Sequence, residues 1–248
     1  MYFKECPQSN VCEFVSLIKD KEFISYKSQT SETIYRGRAG EIYWPDHDLV
    51  EYFASKPDVR FLDLESYKEL VPCEDHKLLQ DFLFQVGIKR LPTVDAFELP
   101  NCEVEKLGMS HKGRENTFRD KKIDGCRELL NSLDLRKSVL LWKQLLLLIE
   151  TLGETAFSSS LRGEHVYYYR RWQREYFESS ITRQLRNTPW LFDQNGQNVS
   201  ATELTVQKLA IEYETTSNQA RCLINYLQIH DENDDSAHFS DEQKRLIA

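Results

Sequence analysis

The sequence predicts an α+β protein in which short hairpins and small mixed sheets pack with helices. Hydrophobic residues make up 40% and charged residues 29% of the 248-residue chain, which are globular proportions. Aromatic residues reach 12%, so the chain can build a sizeable core. Short β-prone segments occur in pairs, and longer segments with apolar residues at helical spacing follow them. The length suits one large domain or two small ones.

The predicted elements of the first 98 residues are a hairpin followed by helices and a further strand. Asn10 is a candidate N-cap residue for the first helix. Pro57 ends the second helix, and Gly87 is a typical C-terminal signal for the third. In chain order we expect a helix over 11–19, strands over 23–26 and 33–35, a helix over 46–54, a strand over 59–64 and a helix over 74–86.

Residues 99–125 show the least regular pattern. They are polar, and basic residues crowd together at Lys112, Arg114, Arg119, Lys121 and Lys122. Connecting segments of this kind usually run over the protein surface. We therefore expect an exposed, mobile loop or hairpin.

The rest of the chain opens with its strongest helical pattern. Leucine and isoleucine residues between 140 and 149 make a broad apolar face, and a break is expected near Leu135. Asn195-Gly196 lies between two β-prone segments, which is typical of a tight hairpin. In chain order we expect helices within 127–152, a strand over 166–172, a helix over 180–186, a hairpin over 190–200, helices over 203–213 and 218–227, and the start of a helix over 239–248.

Two stretches follow the same order of elements. Residues 23–88 and residues 190–229 each contain a hairpin, a Glu followed by an apolar residue, and a helix that ends in an apolar run. Chance recurrence of a common unit is the alternative interpretation. With repetition, the sequence predicts a first hairpin–helix subdomain (1–98), a polar, mobile connection (99–126), and a central helix with the second hairpin–helix subdomain (127–248). Because the chain starts and stops abruptly, we expect a fragment of a longer polypeptide, truncated at the C-terminus.

The charge and hydropathy of the sequence disfavour several classes of function. The formal net charge of −8 disfavours general nucleic-acid binding, because phosphate affinity comes mostly from Lys and Arg. No apolar run of about 18 residues and no signal core occurs, so the sequence predicts a cytoplasmic protein without membrane contact. The six cysteines lack Cys-x-x-Cys spacing, which disfavours structural zinc and indicates reduced thiols.

Several motifs are spread over most of the chain: Glu41-Ile42-Tyr43-Trp44-Pro45-Asp46, Val86-Gly87-Ile88, Ile123-Asp124-Gly125, Tyr167-Tyr168-Tyr169, Thr188-Pro189-Trp190-Leu191 and Thr202-Glu203-Leu204. Together they resemble the sacsin-like family, whose members are large proteins built around a GHKL-type ATPase domain. The resemblance implies that this chain is the region that follows that domain. It also implies that ATP binds elsewhere in the parent protein, since the Asp-x-Gly-x-Gly adenine motif is absent from the sequence.

The residues themselves predict no catalytic centre. Gly108 and Gly113 have the spacing of a phosphate loop, but Arg114-Glu115 replaces the required Lys-Ser/Thr. The acidic and imidazole groups at 46–48 diverge on a helix, because successive helical residues are separated by about 100 degrees. Glu65 and Lys68 lie three positions apart, which does not suit the paired acid and Lys of a nuclease strand. We therefore predict no catalytic, cofactor-binding or metal-binding residue and no enzyme activity for this chain.

One segment has the composition of a binding surface. Residues 162–186 interleave arginines with aromatic residues, a combination that can hold single-stranded nucleic acid. The same alternation is typical of a strand with one buried and one solvated face. The predicted interaction surface combines this segment with the basic loop and comprises Arg170, Arg171, Trp172, Arg174, Lys112, Arg114, Lys121 and Lys122.

The favoured interpretation is a non-catalytic accessory or interaction segment of a larger sacsin-like, ATPase-containing protein. Its expected partners are the remainder of the parent polypeptide, including the ATPase domain, and a protein client. The alternative is a nucleic-acid-binding module that uses the arginine–aromatic strand and the basic loop.

Overall fold

A computed structural model of the chain describes residues 8–29, 31–69 and 71–232. The described residues are helices and small sheets, so the predicted α+β class is confirmed. They fall into two compact units. The first ends at Thr93 and also includes Ile123–Ser132, and the second contains Val94–Lys122 and the described residues from 133 onward. The predicted division at 98 and 126 concerns segments along the chain and stays a prediction.

The first unit is a four-stranded sheet with flanking helices. Its strands pair in the order β2-β1-β4-β3, antiparallel except for the parallel pair β3 and β4. Its elements are α1 (Gln8–Ile18), β1 (Ile24–Ser28), β2 (Ser31–Gly37), β3 (Ile42–Tyr43), α2 (His47–Tyr52), β4 (Arg60–Leu62), α3 (Leu64–Lys68), α4 (His76–Val86) and α6 (Cys126–Asn131).

The core of this unit joins one face of the sheet to α4. Ile24, Ile42, Leu83 and Val86 are fully buried or nearly so, and they form one cluster. Gly87 ends α4 in the positive-φ region (φ 117), where a residue with a Cβ is strained. Asp46 caps α2 by accepting a hydrogen bond from the Asp48 amide. Both helix boundaries agree with the sequence-based expectation.

The second unit contains a long central helix, a four-stranded antiparallel sheet and a small hairpin. The large sheet has the order β5-β6-β7-β8. The elements are β5 (Val94–Glu98), α5 (Asn101–Lys106), β6 (Arg114–Ile123), α7 (Leu135–Leu152), α8 (Glu154–Ser160), β7 (Arg162–Tyr169), β8 (Arg171–Glu178), α9 (Ser180–Asn187), β9 (Leu191–Phe192), β10 (Asn198–Val199) and α10 (Asn218–Leu227).

The central helix α7 organises the core of this unit. Asp134 starts it by accepting a hydrogen bond from the Lys137 amide at 2.8 Å, and it ends before Gly153. Its inner face buries Leu141, Trp142 and Leu145 completely. The predicted break near Leu135 is confirmed, since α6 and α7 are separate helices.

The two predicted copies share the same hydrogen bonds. In the first, a 3-10 turn (Ala39–Glu41) precedes β3, and the chain after α4 returns so that the Lys89 amide donates to the Ile42 carbonyl at 2.9 Å. In the second, a 3-10 turn (Ala201–Glu203) is followed, after α10, by donation from the His230 amide to the Leu204 carbonyl at 3.2 Å. Each return forms a parallel bridge, Tyr43 with Lys89 and Thr205 with His230.

Buried positions also correspond between the copies. Fully buried Ala39 matches Ala201, and Val86 matches Leu227 just before the left-handed residue that ends each helix. We call these two substructures copy 1 and copy 2. The two copies correspond in hydrophobic pattern and also in individual backbone hydrogen bonds. A chance recurrence of a hairpin and a helix does not require those shared hydrogen bonds.

Three expectations about local structure were wrong. Residues 99–125 are not a loop or a simple hairpin, because they contain helix α5 and the ten-residue strand β6 within the large sheet. Residues 203–213 form short turns instead of a helix. Most of their apolar residues are buried, but the backbone between them is irregular. The strand expected over 166–172 turns back at Arg170 and so forms parts of β7 and β8. The helix expected over 239–248 lies outside the described residues.

Among the described residues, no helix combines the length and the apolar character that crossing a membrane requires.

Candidate interaction surface

The β7–β8 hairpin forms one edge of the large sheet, and most residues of β8 are exposed. Its strands pair antiparallel along their whole length, from Arg162 opposite Glu178 to Tyr169 opposite Arg171. β6 pairs with the other side of β7. Within the part of the chain that the structure describes, no strand pairs with the outer side of β8, so β8 is an edge strand.

The base of the hairpin is fixed by a glycine and a buried carboxylate. Gly163 lies opposite Phe177, whose ring occupies the space that a Cβ at position 163 would need. An aromatic ring over a cross-strand glycine is a known means of stabilising such a pair. Asp120 on β6 is fully buried and accepts hydrogen bonds from the Ser180 amide at 3.0 and 3.2 Å. This links β6 directly to the start of α9.

The tip of the hairpin is held by a close backbone approach. Gly113 has φ 60 and lies against the Tyr168 carbonyl, so a Cβ at this position would clash with the backbone. Arg170 turns the chain with φ 62, a conformation that costs an L-residue roughly 1–2 kcal/mol. Gly113 therefore allows the close approach of two backbone segments. This structural role accounts for one of the two glycines that have the spacing of a phosphate loop.

One face of the hairpin, which we call the aromatic face, exposes three aromatic side chains and one arginine: Tyr168, Trp172, Arg174 and Tyr176. Alternate residues of a strand share a face, which places the three β8 residues together, and Tyr168 lies opposite Trp172. Trp172 and Tyr176 are 59% and 60% exposed. The Tyr168 and Trp172 rings meet edge to face with centroids 5.6 Å apart. Large aromatic side chains left this exposed are typical of an interaction site.

Arg174 lies between the two exposed rings of β8. Its Nε is 3.5 Å from Glu164 Oε2, and Glu164 also pairs with Arg119 at 3.2 Å. The Arg174 side chain is 58% exposed, whereas the Glu164 side chain is only 16% exposed. The guanidinium therefore remains accessible for stacking or for a further hydrogen bond.

The opposite face, which we call the paired face, has its polar groups bonded to one another. Glu175 accepts from Lys112 at 2.6 Å and from the Tyr167 hydroxyl at 2.9 Å. The hydrogen bond from Lys112 lowers the pKa of Glu175. His165 is buried, stacks on Phe118 with centroids 3.9 Å apart, and bonds Asn116 at 2.7 Å. Burial lowers the pKa of His165.

The structure does not bring the eight predicted surface residues together. Trp172 and Arg174 share the aromatic face, and Arg114 pairs with Tyr168 on the same side of the sheet. Arg170 and Arg171 form the tip, whereas Lys112 is engaged with Glu175 on the paired face. Lys121 and Lys122 lie at the far end of β6, about 25 Å from Arg114 at the usual rise of a strand. Lys121 and Lys122 thus lie apart from the arginine–aromatic strand, whereas Lys112 and Arg114 lie beside its hairpin.

Sequence reasoning missed a polar cluster in the first unit. Asp124 accepts from the Tyr43 hydroxyl at 2.7 Å and is paired with Lys56. Burial would raise the pKa of Asp124, but the bonds from Lys56 and Tyr43 outweigh it and the pKa is lowered. Burial raises the pKa of Tyr43. The groups line a polar cleft of about 350 Å³ together with Glu41, Arg60 and Lys89.

This cluster gives a structural role to two of the quoted motifs. Tyr43 belongs to the motif at 41–46 and Asp124 to the motif at 123–125, and the two meet through their side chains. Glu41 pairs with Arg60, and Trp44 packs against Phe84 with ring centroids 5.0 Å apart. Eighty-one positions separate Tyr43 from Asp124, so no local pattern announces their contact.

No group of three or more His, Cys, Asp or Glu side chains with the geometry for a metal ion occurs among the residues that the structure describes. Fold and surface together define an α+β protein with a repeated hairpin–helix unit and an exposed aromatic sheet face. Comparisons with protein-family models, with curated proteins and with solved structures found no match.

Proposed function

We propose that this chain is a non-catalytic interaction segment of a larger sacsin-like protein that contains an ATPase domain. The observation that carries the proposal is the aromatic face, with Trp172 and Tyr176 mostly exposed on an edge strand. Binding energy at protein surfaces concentrates in Trp, Tyr and Arg side chains, which are the residue types of this face. The parent protein and its ATPase domain are inferred from the resemblance of the motifs.

The polar clusters support the same proposal because their groups are engaged with one another. Lys56, Tyr43 and Asp124 form one bonded set, and Lys112, Tyr167 and Glu175 form another. A catalytic group needs a reacting atom within hydrogen-bond reach. Such bonded sets of side chains stabilise local structure. We also propose that the parent protein is cytoplasmic.

The experiment compares two exposed aromatic residues of one hairpin in the parent protein. Trp172→Ala removes the centre of the aromatic face, and we expect it to change the steady-state ATPase rate at least about fivefold, the lower end of the usual range of coupling between sites. Tyr169→Ala is the matched control, since Tyr169 is 61% exposed but lies outside the aromatic face. Trp190 is unsuitable, because it is fully buried and donates to the Leu185 carbonyl.

Equal rates for Trp172→Ala, Tyr169→Ala and the unchanged parent would contradict the role of the aromatic face. ATP turnover by the isolated 248-residue chain would contradict the non-catalytic part of the proposal. An Asp-x-Gly-x-Gly segment upstream in the same polypeptide would support the proposed parent.

The spacing of Trp172, Arg174 and Tyr176 favours a second candidate, a single-stranded nucleic-acid site. Alternate strand residues lie about 6.6 Å apart, and stacking on such rings contributes roughly 1–3 kcal/mol per base. Glu164 and Glu175 beside the arginines make this candidate weaker. Anisotropy with labelled single-stranded DNA and RNA tests it. Salt-dependent binding that is lost in an Arg170→Ala, Arg171→Ala variant would replace the first proposal with this one.

A further inference from the structure

The outer side of β8 is open, yet its side chains carry both signs of charge. Native edge strands commonly block pairing with charged residues, most often Lys. β8 instead carries Arg171 and Arg174 in its first half and Glu175 and Glu178 in its second half. Mixed charge on an edge permits pairing with a strand of complementary pattern, and it opposes pairing in every other register.

We infer that β8 pairs antiparallel with β8 of a second copy of this chain, with Gln173 on the two-fold axis. The inference names the partner of the surface described under the proposed function and rests on it. In a two-fold interface each residue contacts its counterpart reciprocally. The axis at Gln173 places Trp172 opposite the partner's Arg174 and Arg171 opposite the partner's Glu175, and each pair occurs twice.

The pairing keeps each side chain on its own face of the combined sheet. Trp172 and Arg174 both belong to the aromatic face, so the partner's Arg174 reaches the free side of the Trp172 ring. Tyr168 covers the other side at 5.6 Å. A guanidinium over an indole contributes roughly 0.5–1 kcal/mol at an exposed site. The indole, now 59% exposed, would lie between a tyrosine and an arginine.

On the paired face the same register forms ion pairs. Within the described residues Arg171 has no ion pair, and Glu175 keeps 45% of its side chain exposed while bonded to Lys112 and Tyr167. A carboxylate has about four acceptor positions, so Glu175 can also bind the partner's Arg171.

Other registers of β8 are less favourable. With the axis at Arg174, that arginine faces its own counterpart, and with the axis at Glu175 two carboxylates face each other. Like charges directly opposite destabilise a strand pair. With the axis at Tyr176, Arg174 faces the partner's Glu178, but Trp172 is left without a partner residue in β8. Among the four registers compared, the charge pattern favours Gln173 as the centre.

A cysteine placed on the axis tests the register directly. Residues directly opposite in antiparallel strands have Cα atoms about 4.5–5.5 Å apart, which is within disulfide range. In a full chain with the exposed Cys73 and Cys102 changed to Ser, Gln173→Cys is expected to form a covalent dimer under mild oxidation. Arg171→Cys is the matched control, because it lies about 14 Å from its counterpart in this register.

Charge variants test the pairing without a disulfide. Arg171→Glu places two carboxylates in contact, and Glu175→Arg places two arginines in contact, so each variant alone is expected to be monomeric. An equimolar mixture of the two restores both ion pairs and is expected to form a heterodimer. Arg221→Glu, at an exposed position of helix α10, is the control and should dimerise like the unchanged chain. Sedimentation velocity reads out the association, with Kd on the order of 10 μM for an interface this small.

A chain that stays monomeric at roughly 200 μM, well above the expected Kd, overturns the inference. Equal cross-linking of Gln173→Cys and Arg171→Cys, or a monomeric mixture of the charge variants, also overturns it. A monomer that binds single-stranded DNA favours the nucleic-acid candidate instead. None of these results alters the ATPase comparison of Trp172→Ala with Tyr169→Ala, so failure of the dimer and failure of the proposed function are separable.

Discussion

Gln228 occupies the left-handed region, with φ 64 and ψ 31, at the position where copy 1 has Gly87. Its amide bonds back to the carbonyls of Ile224 and Asn225, which closes the last turn of α10. An L-residue with a Cβ pays roughly 1–2 kcal/mol for this conformation. The strain persists because Leu227 and Ile229 on either side are buried.

We therefore expect Gln228→Gly to stabilise the protein. The released strain exceeds the extra entropy that glycine has in the unfolded chain, so the free energy of unfolding should rise by up to about 1 kcal/mol. Urea titration followed by circular dichroism measures it. Gly87→Ala, at φ 117, is the opposite control and should lower the unfolding midpoint. A Gln228→Gly variant less stable than the unchanged chain would show that the glutamine side chain makes a contact worth more than the strain.

Single residues also mark the limit of sequence interpretation. Position 228 is Gln where copy 1 has glycine, so the usual signal for a helix end is missing there. The apolar pattern over 218–227 nevertheless predicts the end of the helix. By contrast, the bond between Tyr43 and Asp124 spans 81 positions and leaves no periodic signal. The fully buried Asp120 looked like one more polar residue of an exposed segment, because its role depends on the Ser180 amide. Long-range polar contacts of this kind cannot be derived from local pattern.

Helix α10 begins at a dense set of hydrogen bonds to Glu214. Its carboxylate accepts from the amide and hydroxyl of both Thr216 and Ser217, at 2.6–2.8 Å. The Glu214 carbonyl in turn accepts from the Trp142 indole at 2.9 Å. Burial would raise the pKa of Glu214, but the bonds from Ser217 and Thr216 lower it to about 2.

The depressed pKa gives a pH-dependent prediction. A carboxyl whose folded pKa is about 2 and whose ordinary value is 4.5 adds stability above pH 4.5 and loses it as the pH falls toward 2. We expect Glu214→Gln to lower Tm at pH 7 by about 2–4 °C. The difference from the unchanged chain should shrink between pH 4.5 and 2.

Thermal unfolding at a series of pH values provides the measurement, and Glu212→Gln, on an exposed neighbour, is the control. A Glu214→Gln difference that stays constant down to pH 2.5, within the window set by the two pKa values, would rule out the carboxylate as the source.

Elements with one solvated face were the hardest to predict. β6 alternates buried Phe118 and Asp120 with exposed Arg119, and its charges resemble those of a loop. Strand pairing outweighs composition there, because β7 supplies a partner that lies more than 40 positions away. The helices 46–54, 74–86 and 218–227 were predicted correctly because capping residues and 3.6-residue periodicity are local. The aromatic pattern predicted one strand over 166–172, because the turn at Arg170 contains no typical turn residue.

For the whole molecule, the two copies predict matching patterns of amide exchange. The Lys89 and His230 amides close the two parallel bridges, and the Trp44 and Val206 amides bond back at 2.8 and 2.9 Å. Amides in buried hydrogen-bonded structure exchange slowly. Hydrogen–deuterium exchange should show these four protected at least about 100-fold relative to exposed Ser110 and His111. Protection confined to one copy would show that the shared geometry does not carry equal local stability.

The bridge that closes each copy makes the length of the enclosed chain unimportant. Lys89 follows Tyr43 by 46 positions, and His230 follows Thr205 by 25, yet each pair forms a parallel bridge at the corresponding place in its copy. Closing the longer segment costs only about 0.5 kcal/mol more, since loop entropy grows with the logarithm of length. Copy 2 should therefore tolerate an insertion. Foreign sequence placed between Thr205 and His230, within the exposed turn near Ile211, should leave the bridge between these two residues intact.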